Sequence, residues 1–171
     1  MLKKCLTLSL VAVAVFGLVR SAAAEMDHRI GVGVHYWKKL GDIELDAIEE
    51  DGLGWMITYQ LRPESLLKFE FDLEQLPESF GGLDKEVYAP QAYVLIGGTI
   101  YGAVGAGVYW SDGEFADNPF YAFRVGLDFA LLPFLYADLN LNYRFEKWDE
   151  LDGEDIDEDT IEAGVAVRIE L

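Results

Sequence analysis

The chain has 171 residues, with 31 Asp or Glu against 13 Lys or Arg, for a formal net charge of −18. That balance excludes nucleic-acid binding, which depends on clustered Lys and Arg against phosphate. Hydrophobic residues make up 51% of the chain, yet beyond residue 24 no apolar run approaches the ~18 residues of a membrane helix, so the apolar content needs a period-2 explanation.

Residues 1–24 read as a cleaved export signal. Lys3 and Lys4 give a basic start, Leu8 to Leu18 an apolar core, and Ala22-Ala23-Ala24 small residues ahead of Glu25. The rival reading, an uncleaved anchor, is disfavoured by Arg20 and by the shortness of the run. The only cysteine, Cys5, falls in this segment, so a mature domain of 25–171 has no thiol chemistry. Removing Lys3, Lys4 and Arg20 leaves 10 basic against 31 acidic residues, a net charge of −21.

Strand one, about 28–38, sets Ile30, Val32, Val34 and Tyr36 against Gly31, Gly33, His35 and Trp37. A long acidic link, 39–51, follows. Strand two, about 53–62, sets Leu53, Trp55, Ile57, Tyr59 and Leu61 against Gly54, Met56, Thr58, Gln60 and Arg62. Pro63 presets φ for the turn at 62–65. Strand three alternates Leu67, Phe69, Phe71 and Leu73 with Lys68, Glu70, Asp72 and Glu74. After the link 75–85, strand four, about 86–96, carries Pro90, which cannot donate a ladder hydrogen bond; a bulge or loosened pairing is expected there. Gly97-Gly98 is the second tight turn.

Strand five, about 100–110, sets Gly102, Val104, Ala106, Val108 and Trp110 against Tyr101, Ala103, Gly105, Gly107 and Tyr109. The third long link is 111–118. Strand six alternates Tyr121, Phe123, Val125, Leu127 and Phe129 with Ala122, Arg124, Gly126, Asp128 and Ala130. The third short turn is Leu132-Pro133-Phe134. Strand seven sets Leu135, Ala137, Leu139, Leu141, Tyr143 and Phe145 against Tyr136, Asp138, Asn140, Asn142, Arg144 and Glu146. The last link, 147–159, leads to strand eight, where Ile161, Ala163, Val165, Val167, Ile169 and Leu171 oppose Glu162, Gly164, Ala166, Arg168 and Glu170.

The predicted fold is all-β: an eight-stranded antiparallel up-and-down transmembrane β-barrel. Its strands match the ~9–11 residues that a tilted strand needs to cross a bilayer. Short turns at even-numbered junctions put both termini on the periplasmic side and the long links outside. A soluble barrel of the lipocalin sort is the rival, because alternation does not say which face is inside. Three features favour the membrane. The polar face is rich in Gly and Ala, as a narrow lumen requires. The loop lengths sort by end. Aromatics gather near the long links (Tyr36, Trp55, Tyr88, Trp110, Tyr121, Tyr143 and Phe145), as in an interfacial girdle.

The signal ending, the hairpin rhythm and the last strand, Gly164 to Leu171, resemble the small eight-stranded outer-membrane barrels of Gram-negative bacteria, the OmpA-, OmpX- and OmpW-type group. The resemblance covers all of 25–171 and is architectural. It implies an outer-membrane location, contact with the bilayer and lipopolysaccharide, insertion by the outer-membrane assembly machinery, and a monomer. In that group the final residue is usually aromatic; here it is Leu171, a weaker assembly signal.

Lys68, Glu70, Asp72, Arg124, Asp128, Asp138, Arg144 and Glu162 are expected to point inward as a lumen charge network. Glu70, Asp72, Arg124 and Arg144 should lie near mid-barrel. Buried charges must pair or be hydrated, so they read as a plug, with a polar conduction path as the alternative. In the last loop Asp149, Asp152, Glu154, Asp155, Asp157 and Asp159 are oxygen ligands suited to weak Ca²⁺ or Mg²⁺ binding, although the EF-hand spacing fails around Gly153. No other cofactor is implied. Some barrels of this size modify lipid A acyl chains; here His35 is the reasonable general base and Ser111 the only matching nucleophile. No role as an enzyme is expected. The expected role is structural or adhesive, with a pore or a side-opening path near Pro90 for small hydrophobic molecules as the alternative.

Overall fold

The computed structural model describes residues 26–39, 51–63, 65–77, 86–116, 118–145 and 159–171. The segment read as an export signal lies outside them. In chain order the strands are β1 (Asp27–Lys39), β2 (Asp51–Arg62), β3 (Leu67–Leu76), β4 (Val87–Gly97), β5 (Ile100–Gly107), β6 (Trp110–Ser111), β7 (Glu114–Phe115), β8 (Phe120–Leu132), β9 (Leu135–Phe145) and β10 (Thr160–Glu170). β1–β5 and β8–β10 pair antiparallel with their neighbours, and β1 pairs with β10 from Arg29↔Glu170 to Lys39↔Thr160. The ring is therefore closed with eight strands, which leaves no backbone edge exposed to lipid.

The alternation decides which face is inside. Ile30, Val32 and Val34 on β1, Val125 and Leu127 on β8, Leu139 and Leu141 on β9, and Val165, Val167 and Ile169 on β10 are all exposed. The charged and amide side chains between them are buried. A soluble barrel has the opposite arrangement, and water-facing monomers rarely carry a continuous apolar belt of this kind. The outer wall is a lipid surface.

The structure departs from the strand reading around strand five. The strand breaks after Gly107 and resumes as β6 at Trp110, opposite Tyr88 of β4 in the same register, before hairpinning with β7 across the third long link. Its turn residues, Asp112 and Gly113, have φ of 53° and 86°, the two positive values that a type I′ turn demands. The Asp-Gly pair was the legible signal for it. At Pro90 no bulge forms: Pro90 stays in register opposite Leu73. On the β5 side Val108 N donates to Pro90 O at 3.2 Å, and proline has no N–H with which to return the bond. The pairing is loosened on that side alone. The ring's bulge lies instead in β8, between Ala130 and Leu132.

Lumen volume is managed by pairing large side chains with glycines across the ladders. Tyr93 faces Gly105 across β4–β5, and a methyl group on Gly105 would sit 2.3 Å from its ring. Tyr101 covers Gly126, Trp37 covers Gly52, and His35 covers Gly54 in the same way. Rings lying flat over bare backbone let eight strands hold aromatic and charged residues in an interior just wide enough for side chains.

Candidate functional site

The lumen holds three layers of charge. At the short-turn end Asp128 collects Arg29 at 3.2 Å, Lys68 at 3.3 Å and Arg62 at 3.5 Å. Arg29 also meets Glu170 at 2.9 Å and stacks 3.1 Å above the Tyr136 ring. Lys68 Nζ donates to Gly98 O, which ties the wall to the second turn.

In the middle layer Glu70 lies between Arg124 at 2.6 Å and Arg168 at 2.8 Å. Arg124 also holds Asp72 at 3.1 Å, and Arg168 holds Asp138 at 3.1 Å. Gln60 donates to Glu70, Asn140 donates to Asp138, and Arg124 stacks 3.8 Å over Tyr93. Each carboxylate in this water-poor space thus has a guanidinium or amide partner, the condition under which buried charge is tolerated.

In the outer layer Arg144 bridges Glu74 at 2.7 Å and Glu162 at 3.0 Å. His35 Nε2 lies 2.6 Å from the other oxygen of Glu74. Gln91 donates to Glu74, Asn142 donates to Glu162, and Tyr93 links the two amides. Above this layer an apolar plate of Trp37, Leu76 and Val87, with Tyr109 packed on it, covers the mouth. Phe120, which is also buried, packs against Tyr109 with ring centres 4.8 Å apart and the planes tilted by 35°.

All eight residues read from the sequence as lumen charges lie on the inner face. Their depths differ from the expectation in one respect. Arg144 pairs in the outer layer, and Arg168 takes the mid-barrel place beside Glu70. Strand tilt offsets equal strand positions in height, so counting along separate strands misplaced it. Arg29, His35, Glu74 and Arg168 join the network without having been singled out for it. Alternation already put Glu74, His35 and Arg168 on inward faces, and that was the available signal.

The aromatic residues sit as a rim on the long-link side. Tyr36, Trp55, Trp110, Tyr121 and Tyr143 are exposed and Tyr88 is half-buried. The hydroxyls of Tyr36, Tyr88 and Tyr143 donate to Asp51, Glu86 and Asp159. Of the loop carboxylates considered as ion ligands, Asp159 is at the base of β10; Asp149, Asp152, Glu154, Asp155 and Asp157 lie outside the described residues. His35 and Ser111 are not brought together. Ser111 Oγ donates to Glu86 O on the outer surface, while His35 is buried against Glu74. Donor atoms of His35, Glu74 and Glu162 lie within 4.8 Å of one another. Arg144 bridges both carboxylates, so the three residues and Arg144 form one ion-pair cluster.

A closed ring of eight lipid-facing strands with a charged interior defines the class: the chain is a small transmembrane β-barrel of the outer-membrane type. Among solved structures it is similar to neisserial surface protein A, with 12% identity over 86% of this chain and 100% of that one and a TM-score of 0.54. It is also similar to a de novo designed transmembrane β-barrel, with 10% identity over 85% of this chain and 95% of that one and a TM-score of 0.50. OprG from Pseudomonas aeruginosa aligns over 84% of this chain and 95% of that one, with 14% identity and a TM-score of 0.49. No protein-family model matches the sequence, and no curated protein matches it.

Proposed function

We propose that the protein is a closed outer-membrane barrel with a structural and surface-interaction role, holding acidic loops above the membrane. One observation carries the reading: among the described residues, each of the six buried carboxylates of the lumen is in ion-pair contact with a buried Arg or Lys, beneath a buried apolar plate. An eight-stranded interior filled in this way has no room for a solute path. The enzyme alternative loses its pairing, because His35 is buried in the lumen while Ser111 Oγ donates to Glu86 O at the exposed rim. The partners are the bilayer and lipopolysaccharide, the latter through divalent ions on the acidic loops, and insertion depends on the outer-membrane assembly machinery. The barrel acts as a monomer.

The test is planar-bilayer conductance of the refolded chain at mildly acidic to neutral pH, with folding verified by heat-modifiable gel mobility. Silence supports a closed scaffold. Steady, discrete openings under those conditions promote the pore reading.

A further inference from the structure

The buried lumen charges do not balance as fixed groups. Glu70, Asp72, Glu74, Asp128, Asp138 and Glu162 supply six negative charges, against five positive charges from Arg29, Lys68, Arg124, Arg144 and Arg168. At the short-turn rim the partly exposed Arg62 and Glu170 offset one another. With every one of these carboxylates ionised, one buried negative charge among the described residues is left over. An unmatched charge inside a side-chain-filled lumen, walled off by hydrocarbon, is costly.

His35 is placed to supply the missing charge. It is buried, and its Nε2 lies 2.6 Å from Glu74 Oε1. The charged groups facing it are Glu74 from β3, Glu162 from β10 and Arg144 from β9. From β2 it meets Gly54, which has no side chain and leaves room for the imidazole to reach β3.

This contact sits directly under the outer closure. Trp37 lies two residues beyond His35 on β1, and Leu76 two residues beyond Glu74 on β3. Trp37 crosses Gly52 just as His35 crosses Gly54. β1 and β3 are thus joined twice over the glycines of β2, once by charge and once by the apolar plate.

We propose that protonated His35 is the sixth cation of the lumen and latches this closure, so that loss of its proton opens the barrel to ions as pH rises. When His35 is neutral, Glu74 and Glu162 share Arg144 alone, and their repulsion pushes β3 and β10 apart beneath the plate. Closure is complete while the imidazole is charged and weakens above its titration. The proposal rests on the closed-lumen reading.

The experiment is conductance of the refolded full chain between about pH 6 and pH 9, the range in which a histidine can be titrated, for wild type, His35→Gln, His35→Arg and His28→Gln. Wild type and His28→Gln should be silent at the acid end and open as pH rises. The open probability should grow by up to roughly tenfold per pH unit, the limit for one released proton. His35→Gln should conduct throughout, and His35→Arg should stay silent throughout. In parallel, imidazole ¹⁵N shifts of the wild type in nanodiscs should report a charged His35 where the bilayer is silent. A neutral imidazole there overturns the latch. So does silence of the wild type at every pH, which leaves the closed scaffold standing. Wild-type conduction at the acid end sinks both readings. Should His35→Gln fail to fold, the wild-type and His35→Arg records still decide.

Discussion

Arg168 and Glu70 meet at 2.8 Å at the centre of the lumen, and neither side chain is exposed. Arg168 also holds Asp138, so it stands between two carboxylates contributed by different strands. Among the described residues, its removal leaves Asp138 without a cation and Glu70 with Arg124 alone. We expect Arg168→Met to destabilise the barrel by about 3–5 kcal/mol, the cost of an uncompensated buried charge. Adding Asp138→Asn should recover part of that loss. Urea unfolding in lipid vesicles measures both; an unchanged midpoint for the single variant would contradict the central pairing.

Gly105 and Gly102 make a matched pair on β5. A methyl group on Gly105 meets Tyr93 at 2.3 Å, whereas one on Gly102 meets nothing within 4 Å. Gly105→Ala should cost ~1–3 kcal/mol by overpacking, and Gly102→Ala should stay within about 0.5 kcal/mol. The contrast is read from the same unfolding curves. Equal costs would mean that the ring does not lie over the glycine.

The wall should respond to charge according to depth. Val125 lies midway along β8 opposite Leu141, and Val125→Arg should cost roughly 2–4 kcal/mol at the bilayer midplane. Tyr36→Arg, at the rim, should cost about 0–1 kcal/mol. Similar penalties at both positions would remove the evidence for the direction in which the barrel spans.

The last acidic link, of which Asp159 marks the base, tests the ion proposal. Millimolar Ca²⁺ should protect the 146–158 segment from protease, and replacing Asp155 and Asp157 by Asn should abolish the protection. Identical digestion with and without Ca²⁺ would leave these carboxylates as a solvated surface.

Much of this architecture was legible because a lipid-facing strand writes its two faces in opposite chemistry. Strand three, with Phe69 and Phe71 interleaved with Glu70 and Asp72, shows it most plainly. Alternation put all eight singled-out lumen charges on the inner face. What it could not give is height. The shear of a tilted barrel sets which residues meet across strands, so Arg144, expected near mid-barrel, pairs in the outer layer, and Arg168 stands beside Glu70 instead. The β6–β7 hairpin was legible only in its Asp112-Gly113 turn, because two-residue strands carry no period. Pro90 was read correctly as a missing donor, but which neighbour would feel the loss depends on register. The His35–Glu74 contact spans β2, and no pattern within one strand records it.

The pairing of β1 with β10 has a consequence for how the molecule is made. Arg29 and Glu170 are direct partners in that ladder, so the final seam joins the first and last strands of the barrel. Hairpins such as β8–β9 can form from local segments, but this rung waits for the last strand of the barrel, which makes closure a step of high contact order and a slow one. Until it forms, both seam strands present unpaired N–H and C=O groups that hydrocarbon cannot satisfy. The nascent barrel must therefore be guarded at one seam, and substitutions there should delay maturation even where they leave the finished ring as stable as before.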